Sequence, residues 1–158
     1  MKLPRRMEEG DLRLRPLGIS DGRSLAEALK DRALLRSLGL SLSPSSPSSA
    51  WWWFKSSHLL AYCIEADSQR IGLLGISRLI AGESAELSLL IFPEHQGKGY
   101  GSMTVGLFAK LLKKQRSLKR LTVSVRRDNP GAISFWERTG FREVSQEPDG
   151  IMRLALNL

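Results

Sequence analysis

Apolar residues recur along this chain with two different periods, and the switches between those periods mark its elements. In residues 11–17, Leu12 and Leu14 alternate with Arg13 and Arg15, the two-residue repeat of a strand. Ser20 or Asp21 can then cap a helix running to about Leu38, with Gly39 as its stop. The Ser/Pro-rich residues 40–49 read as a mobile surface loop, since neither flank is long enough for a second complete domain. A short helix over about residues 50–57 carries Trp51, Trp52, Trp53 and Phe54.

Three runs rich in apolar and β-branched residues follow, at about residues 59–65, 71–79 and 85–92. The connections between them are short, which predicts an antiparallel meander. The period then changes. Met103, Leu107, Phe108, Leu111 and Leu112 share one face of a helix over residues 100–115, with Lys110, Lys113 and Lys114 on the other. Leu121, Val123 and Val125 alternate as a strand again, and a strand–helix–strand unit of this length implies a parallel crossover. A second helix starts at Pro130, capped by Asn129 or Asp128, and stops at Gly140. Residues 141–146 and 151–156 form a closing hairpin turned by Pro148-Asp149-Gly150. The order predicts one α/β layered domain over residues 1–158, of mixed α+β character with a mixed sheet.

Composition narrows the class. The 158 residues are 42% hydrophobic and 25% charged, the balance of a globular protein. No apolar run approaches the roughly 20 residues of a membrane helix, and acidic residues rather than an apolar signal segment follow Arg6. The single cysteine, Cys63, sits in an apolar run, which points to a core role and a reduced, cytoplasmic setting. His58 and His95 lack metal-ligand spacing, so no metal is expected, and both read as surface or loop-support residues. The net charge of +8 suits nucleic acid, acidic membrane or a phosphorylated cofactor, and does not choose among them.

The chemistry concentrates in Pro93-Glu94-His95-Gln96-Gly97-Lys98-Gly99-Tyr100-Gly101-Ser102, between a strand and a helix. Its alternate glycines let backbone approach a ligand closely, and the helix start supplies unpaired N–H groups and a positive dipole end. Together they suit a phosphate or pyrophosphate; the plain alternative is a glycine-rich turn. A Walker loop needs Ser or Thr after its lysine, and here Gly99 follows Lys98. A dinucleotide fingerprint needs G-x-G-x-x-G, whereas Gly97, Gly99 and Gly101 are spaced G-x-G-x-G.

Gln96, Gly99 and Gly101 match the Q/R-x-x-G-x-G/A hallmark of the GNAT superfamily of N-acyltransferases. Asn129, Ala132, Ile133, Gly140 and Phe141 match a second motif, N-x-x-A-I-x-x-Y-x-x-x-G-F. With the order of elements, the resemblance covers nearly the whole chain. It implies a GNAT-like, mostly antiparallel seven-stranded sheet with a splayed parallel pair, flanked by helices. It also implies acetyl-CoA as donor, its pyrophosphate on the N–H groups of Gly97, Lys98, Gly99, Tyr100, Gly101 and Ser102. The pantetheine arm would pair around Leu90, Ile91 and Phe92, with Asn129 helping to hold it.

Transfer to an amine needs a base, because an ammonium has no lone pair. Glu86 is the candidate, interrupting an otherwise apolar strand; burial there would favour its proton-accepting role, while the alternative is an exposed strand-end glutamate. The family's tyrosine, which protonates the departing thiolate, is replaced by Trp136, whose indole does not ionise in this range. Either the thiolate leaves with help from helix-end N–H groups or another group supplies the proton, with Tyr62 and Ser134 as candidates; Trp136 can pack against the arm or serve the core. The consecutive tryptophans cannot all face the core, so they either wall an acceptor groove or anchor it. The basic run from Lys113 to Arg120 ends a helix, as a solvated face or a lure for phosphate. The expected activity is acetyl transfer to a small-molecule or peptide amine, by a monomer or homodimer without membrane or nucleic-acid partner. A CoA-binding regulator without turnover and a nucleic-acid module are the alternatives.

Overall fold

Strand β3 (Leu60–Ala66) shows how the chain is layered. Its Tyr62, Ile64 and Ala66 join one apolar cluster, while Ala61 and Cys63 join a second on the opposite face. A strand buried on both faces needs cover on both, and the remaining elements supply it. A computed structural model describes residues 3–158. In chain order the other elements are β1 (Met7–Glu9), β2 (Leu12–Pro16), α1 (Gly22–Ala28), α2 (Arg32–Ser37), α3 (Pro47–Ser56), β4 (Gln69–Ile80), β5 (Ser84–Ile91), α4 (Tyr100–Gln115), β6 (Arg120–Arg126), α5 (Pro130–Arg138), β7 (Arg142–Gln146) and β8 (Ile151–Asn157). The strands lie in the order β1-β2-β3-β4-β5-β6-β8-β7. Every neighbouring pair is antiparallel except β5 and β6. Helices α4 and α5 contribute to the cluster on one face, with Phe108, Leu112 and Trp136 fully or nearly buried. Helices α1, α2 and α3 cover the other with Leu25, Leu34, Leu35 and Phe54.

The sheet has eight strands, one more than the seven the resemblance implies. The addition is β1, whose Met7, Glu8 and Glu9 pair with Leu14, Arg13 and Leu12. Gly10, at φ +59°, makes the reversal. Three residues are too few to display a period, so only the glycine hinted at it. The long helix expected to end near Leu38 is two helices. Asp31 accepts the Leu34 N–H at 2.9 Å and so starts α2 afresh; a carboxylate offered to the backbone ends one helix and caps another. Gly39 does stop it, at φ +71°. Helix α3 begins at Pro47, ahead of the expected Ala50, because Ser46 accepts the Ser49 N–H at 3.1 Å with proline in the first turn.

A buried carboxylate fastens the first half of the sheet. Asp21, 1% exposed, receives Arg15 through two hydrogen bonds of 2.8 and 2.9 Å. Arg70 of β4 and the Gly18 N–H add 2.7 and 2.8 Å contacts, and Arg15 also donates to Glu65 of β3 at 3.0 Å. One carboxylate thus ties β2, β4 and the entry to α1 together. Burial alone would raise its pKa, but the guanidinium of Arg15, the Gly18 N–H and Arg70 outweigh it and bring it down to about 2.

The unfolded value is near 3.9, so this carboxylate's stabilisation is complete above about pH 4. It is lost as pH falls through about 2, and amounts to ~2 kcal/mol. Asp21→Asn leaves the Arg15 guanidinium with a weaker partner and should cost about 3 kcal/mol at neutral pH. It should also flatten the acid limb of the stability curve, read by urea denaturation across pH.

Candidate active site

After β5 the chain makes one tight turn over Pro93–His95 and enters α4. Gln96 Nε2 donates to the Ile91 carbonyl at 2.9 Å, tying the loop back to the strand end. Gly97 and Gly99 stand at φ +75° and +83°, a region where a side chain is strained, and Gly99 is the N-cap of α4. The N–H groups of residues 97–102 have no protein partner among the described residues. They gather at the positive end of a 16-residue helix, an arrangement suited to a phosphate group.

Beside this loop the sheet opens. Strands β5 and β6 pair only at Ser84 with Arg120, Ala85 with Leu121 and Glu86 with Thr122. Beyond that row β6 continues on β8 as far as Arg126 opposite Ile151, and β5 continues on β4. The gap is bounded by the N-terminus of α5, where Asn129 Oδ1 accepts the Ala132 N–H at 3.2 Å. Two cavities occupy the opening, of about 610 and 350 Å³. Both are walled by Ser37, Leu38, Leu89, Asn129, Ala132 and Trp136, so they are two ends of one cleft. The larger reaches the glycine loop; the smaller runs over Ser88, Val123, Ser124 and Arg126. The size and mixed lining fit a small-molecule site.

Of the residues predicted from sequence, Leu90, Ile91, Gln96, Gly97, Gly99, Tyr100, Gly101, Ser102, Asn129 and Trp136 line the larger cavity. Phe92 and Lys98 do not. Phe92 is 2% exposed in the second core cluster, and its N–H is taken by the Ile71 carbonyl at 2.9 Å. Trp136 is 7% exposed and packs edge-to-face with Phe135 and Phe141, at 4.9 Å from each. It is both core residue and cleft wall. None of Trp51, Trp52 and Trp53 lines either cavity; Trp51 and Trp53 pack against the second cluster. The Tyr62 hydroxyl donates to the Pro4 carbonyl at 2.7 Å, and neither it nor Ser134 lines the cleft.

Glu86 stands at the root of the opening, just outside both cavities. Ser77 donates to its Oε2 at 3.1 Å and Ser124 to its Oε1 at 2.7 Å. Arg78 and Arg153 lie 3.9 and 3.6 Å away. Its side chain is 13% exposed, so it is neither free in solvent nor isolated in an apolar site. Ser124, which does line the smaller cavity, connects it to the cleft. His58 is a support residue: its ring stacks on Phe54 at 4.2 Å, and its Nδ1 lies 2.7 Å from the Phe54 carbonyl. Burial lowers its pKa. His95, 14% exposed, lies beside Tyr100 in the loop wall. Burial pushes the Cys63 thiol up to about 12, which keeps it protonated.

The sequence reading missed the wall opposite α5. Asp31, Ala33, Leu34, Ser37 and Leu38 of the α2 region face the larger cavity. No local pattern announces this, because it depends on how α2 docks. Phe135 and Arg138 were findable, since they follow Gly131 at helical spacing on one face. Among the described residues there is no cluster of three or more potential metal ligands, and no helix is long and apolar enough to cross a membrane.

The sequence profile described as an acetyltransferase (GNAT) domain matches residues 11–142. This chain belongs to the GNAT acetyltransferase family. No curated protein matches the sequence. Solved structures do share the GNAT fold. A GNAT-family acetyltransferase from Bacillus anthracis is 14% identical, with TM-score 0.80 over 96% of this chain and 98% of that one. RimL, a ribosomal L7/L12 alpha-N-protein acetyltransferase, is 14% identical, with TM-score 0.84 over 97% of this chain and 94% of its own. An acetyltransferase from Thermus thermophilus is 23% identical, with TM-score 0.76 over 96% of this chain and 100% of that one. At such identities these likenesses speak to the GNAT fold alone.

The contact between loop and α5 is testable. A Cβ at Gly101 would lie 3.0 Å from Phe135 Cζ. Gly101→Leu should therefore push α5 off α4 and cost about 1–3 kcal/mol, measured by chemical denaturation.

Proposed function

We propose that this GNAT-family chain moves an acetyl group from acetyl-CoA to a primary amine by direct attack within a ternary complex. The observation that carries the reading is one cleft joining the unpaired N–H groups of residues 97–102 to the gap between β5 and β6. The pyrophosphate would accept from Gly97, Lys98, Gly99, Tyr100, Gly101 and Ser102. Backbone of Lys98 suffices for this, since its side chain stays outside the cavity. The pantetheine arm would run along Leu90, Ile91 and the strand end at Phe92, past Asn129, to a thioester at the junction of the two cavities. The amine would enter through the smaller cavity.

The carboxylate of Glu86 is the proposed base, reached through Ser124. The entering ammonium first gives one proton to Ser124 Oγ while Ser124 passes its own to Glu86, which returns it to solvent. The free amine then attacks the thioester carbon, and the nitrogen loses its second proton by the same route. The carbon–sulfur bond then breaks. A thiolate can leave as an anion without prior protonation, and it takes its proton from solvent. Trp136 cannot give one; it walls the junction and shields the thioester from water. The acceptor is a small-molecule or peptide amine, and the donor and lone reduced cysteine suit a cytoplasmic enzyme.

The purified chain, given acetyl-CoA and a panel of amino acids, polyamines and peptides, should release free thiol in an amine-dependent way. Glu86→Gln and Ser124→Ala should each lower kcat by about 10²-fold with little change in the KM for acetyl-CoA. Undiminished turnover in Glu86→Gln would remove it as the base. Acetyl-CoA binding without turnover on any amine would favour a regulatory module instead.

A further inference from the structure

Helix α5 faces the larger cavity through Gly131, Ala132, Phe135, Trp136 and Arg138. Gly131, Phe135 and Arg138, at i, i+4 and i+7, form a row along the helix axis, with Ala132 and Trp136 beside it. Ala132 and Trp136 also touch the smaller cavity and mark the junction, whereas Gly131, Phe135 and Arg138 touch only the larger one. Phe135 is level with the glycine loop, because its ring occupies the space beside Gly101. Arg138 is one turn further, about 4.5 Å along the axis and away from the junction. The row therefore sets a cation in the larger cavity, off the junction and one turn past the contact with the loop.

Arg138 is exposed, and it has no ion pair or side-chain hydrogen bond among the described residues. Arg126 pairs with Asp128 at 3.1 Å and Lys119 with Glu83 at 2.7 Å, while Lys98, Arg120 and Arg127 lie outside the cavity lining. The other ionisable side chains on the larger cavity, besides Tyr100, are Asp31 and His95. Asp31 spends Oδ1 on the Leu34 N–H, and His95 sits against the loop itself. Arg138 is thus the guanidinium that cavity offers to a ligand.

We infer that Arg138 binds the 3′-phosphate of coenzyme A and makes the cleft prefer the coenzyme to its 3′-dephospho form. The inference rests on the coenzyme reading of the cleft proposed above. With the thioester at the junction and the pyrophosphate on the loop, the part of the ligand that continues past the loop is adenosine bearing a phosphomonoester. That group is a dianion with a planar face of oxygens, and a guanidinium can meet it with two parallel hydrogen bonds. A cation at the end of α5 also favours the helix dipole. That effect alone would alter stability and would not discriminate between ligands differing by one phosphate.

The test is calorimetric titration of the full chain and of Arg138→Gln with CoA and with 3′-dephospho-CoA, at low ionic strength. The native chain should bind CoA about tenfold more tightly than the dephospho form. In Arg138→Gln the ratio should shrink to within about twofold, with the dephospho form binding both proteins alike, which also shows that the variant is folded. Added salt should narrow the native preference. A native chain without the preference, or a variant that keeps it, overturns the role of Arg138 while leaving the coenzyme reading standing. Failure of both ligands to bind the native chain overturns the coenzyme reading and this inference together.

Discussion

The cleft exists because two parallel strands pair over only three rows of residues and part after the last. That row holds Glu86 and Thr122, and in the next strand over it holds Arg78, where β4 carries an extra residue at Ser77. A bulge bends and twists the strand that contains it, and this one falls at the row where β5 leaves β6 while β6 stays paired with β8. Glu86 binds the two sides at this row, through Ser77 and Arg78 on one and Ser124 and Arg153 on the other. The strands are held together up to the row and part beyond it. The backbone groups left without a strand partner face the cleft instead of a neighbour.

An opening in a sheet is stable only if its walls are fixed from outside, and the two cores do this separately. On one face, Trp136 sits between Phe135 and Phe141 and sets the position of α5. On the other, Leu34 and Leu35 anchor α2 in the second cluster while Ser37 and Leu38 reach the cleft. The ion cluster of Asp21, Arg15 and Arg70 fastens the β2–β4 edge and the start of α1. Trp136 has a double duty in this scheme. Its indole does not ionise, and it fills the core behind the cleft wall.

Periodicity makes most of the fold readable in the sequence. The meander, the amphipathic α4, the crossover to β6 and the final hairpin all depend on contacts close in sequence and on turn residues such as Gly150. Errors came where a local signal was too short or where two signals competed. Three residues of β1 cannot show a period, and Asp31 capped a helix that apolar spacing alone would have carried through.

The sequence by itself determined the glycine loop, its place between strand and helix, and the second motif that together mark a GNAT acetyltransferase. Local backbone chemistry suffices there, because positive φ at Gly97 and Gly99 and unpaired N–H groups at a helix start follow from neighbouring residues. Only the tertiary structure decided which side chains face the cleft. It brought in Ser37 and Leu38 from far along the chain and kept Phe92 in the core. The three tryptophans were left outside both cavities, and the partners of Glu86 were drawn from β4, β6 and β8. Those outcomes depend on where a bulge falls and how two helices dock, and these are properties of packing between distant segments.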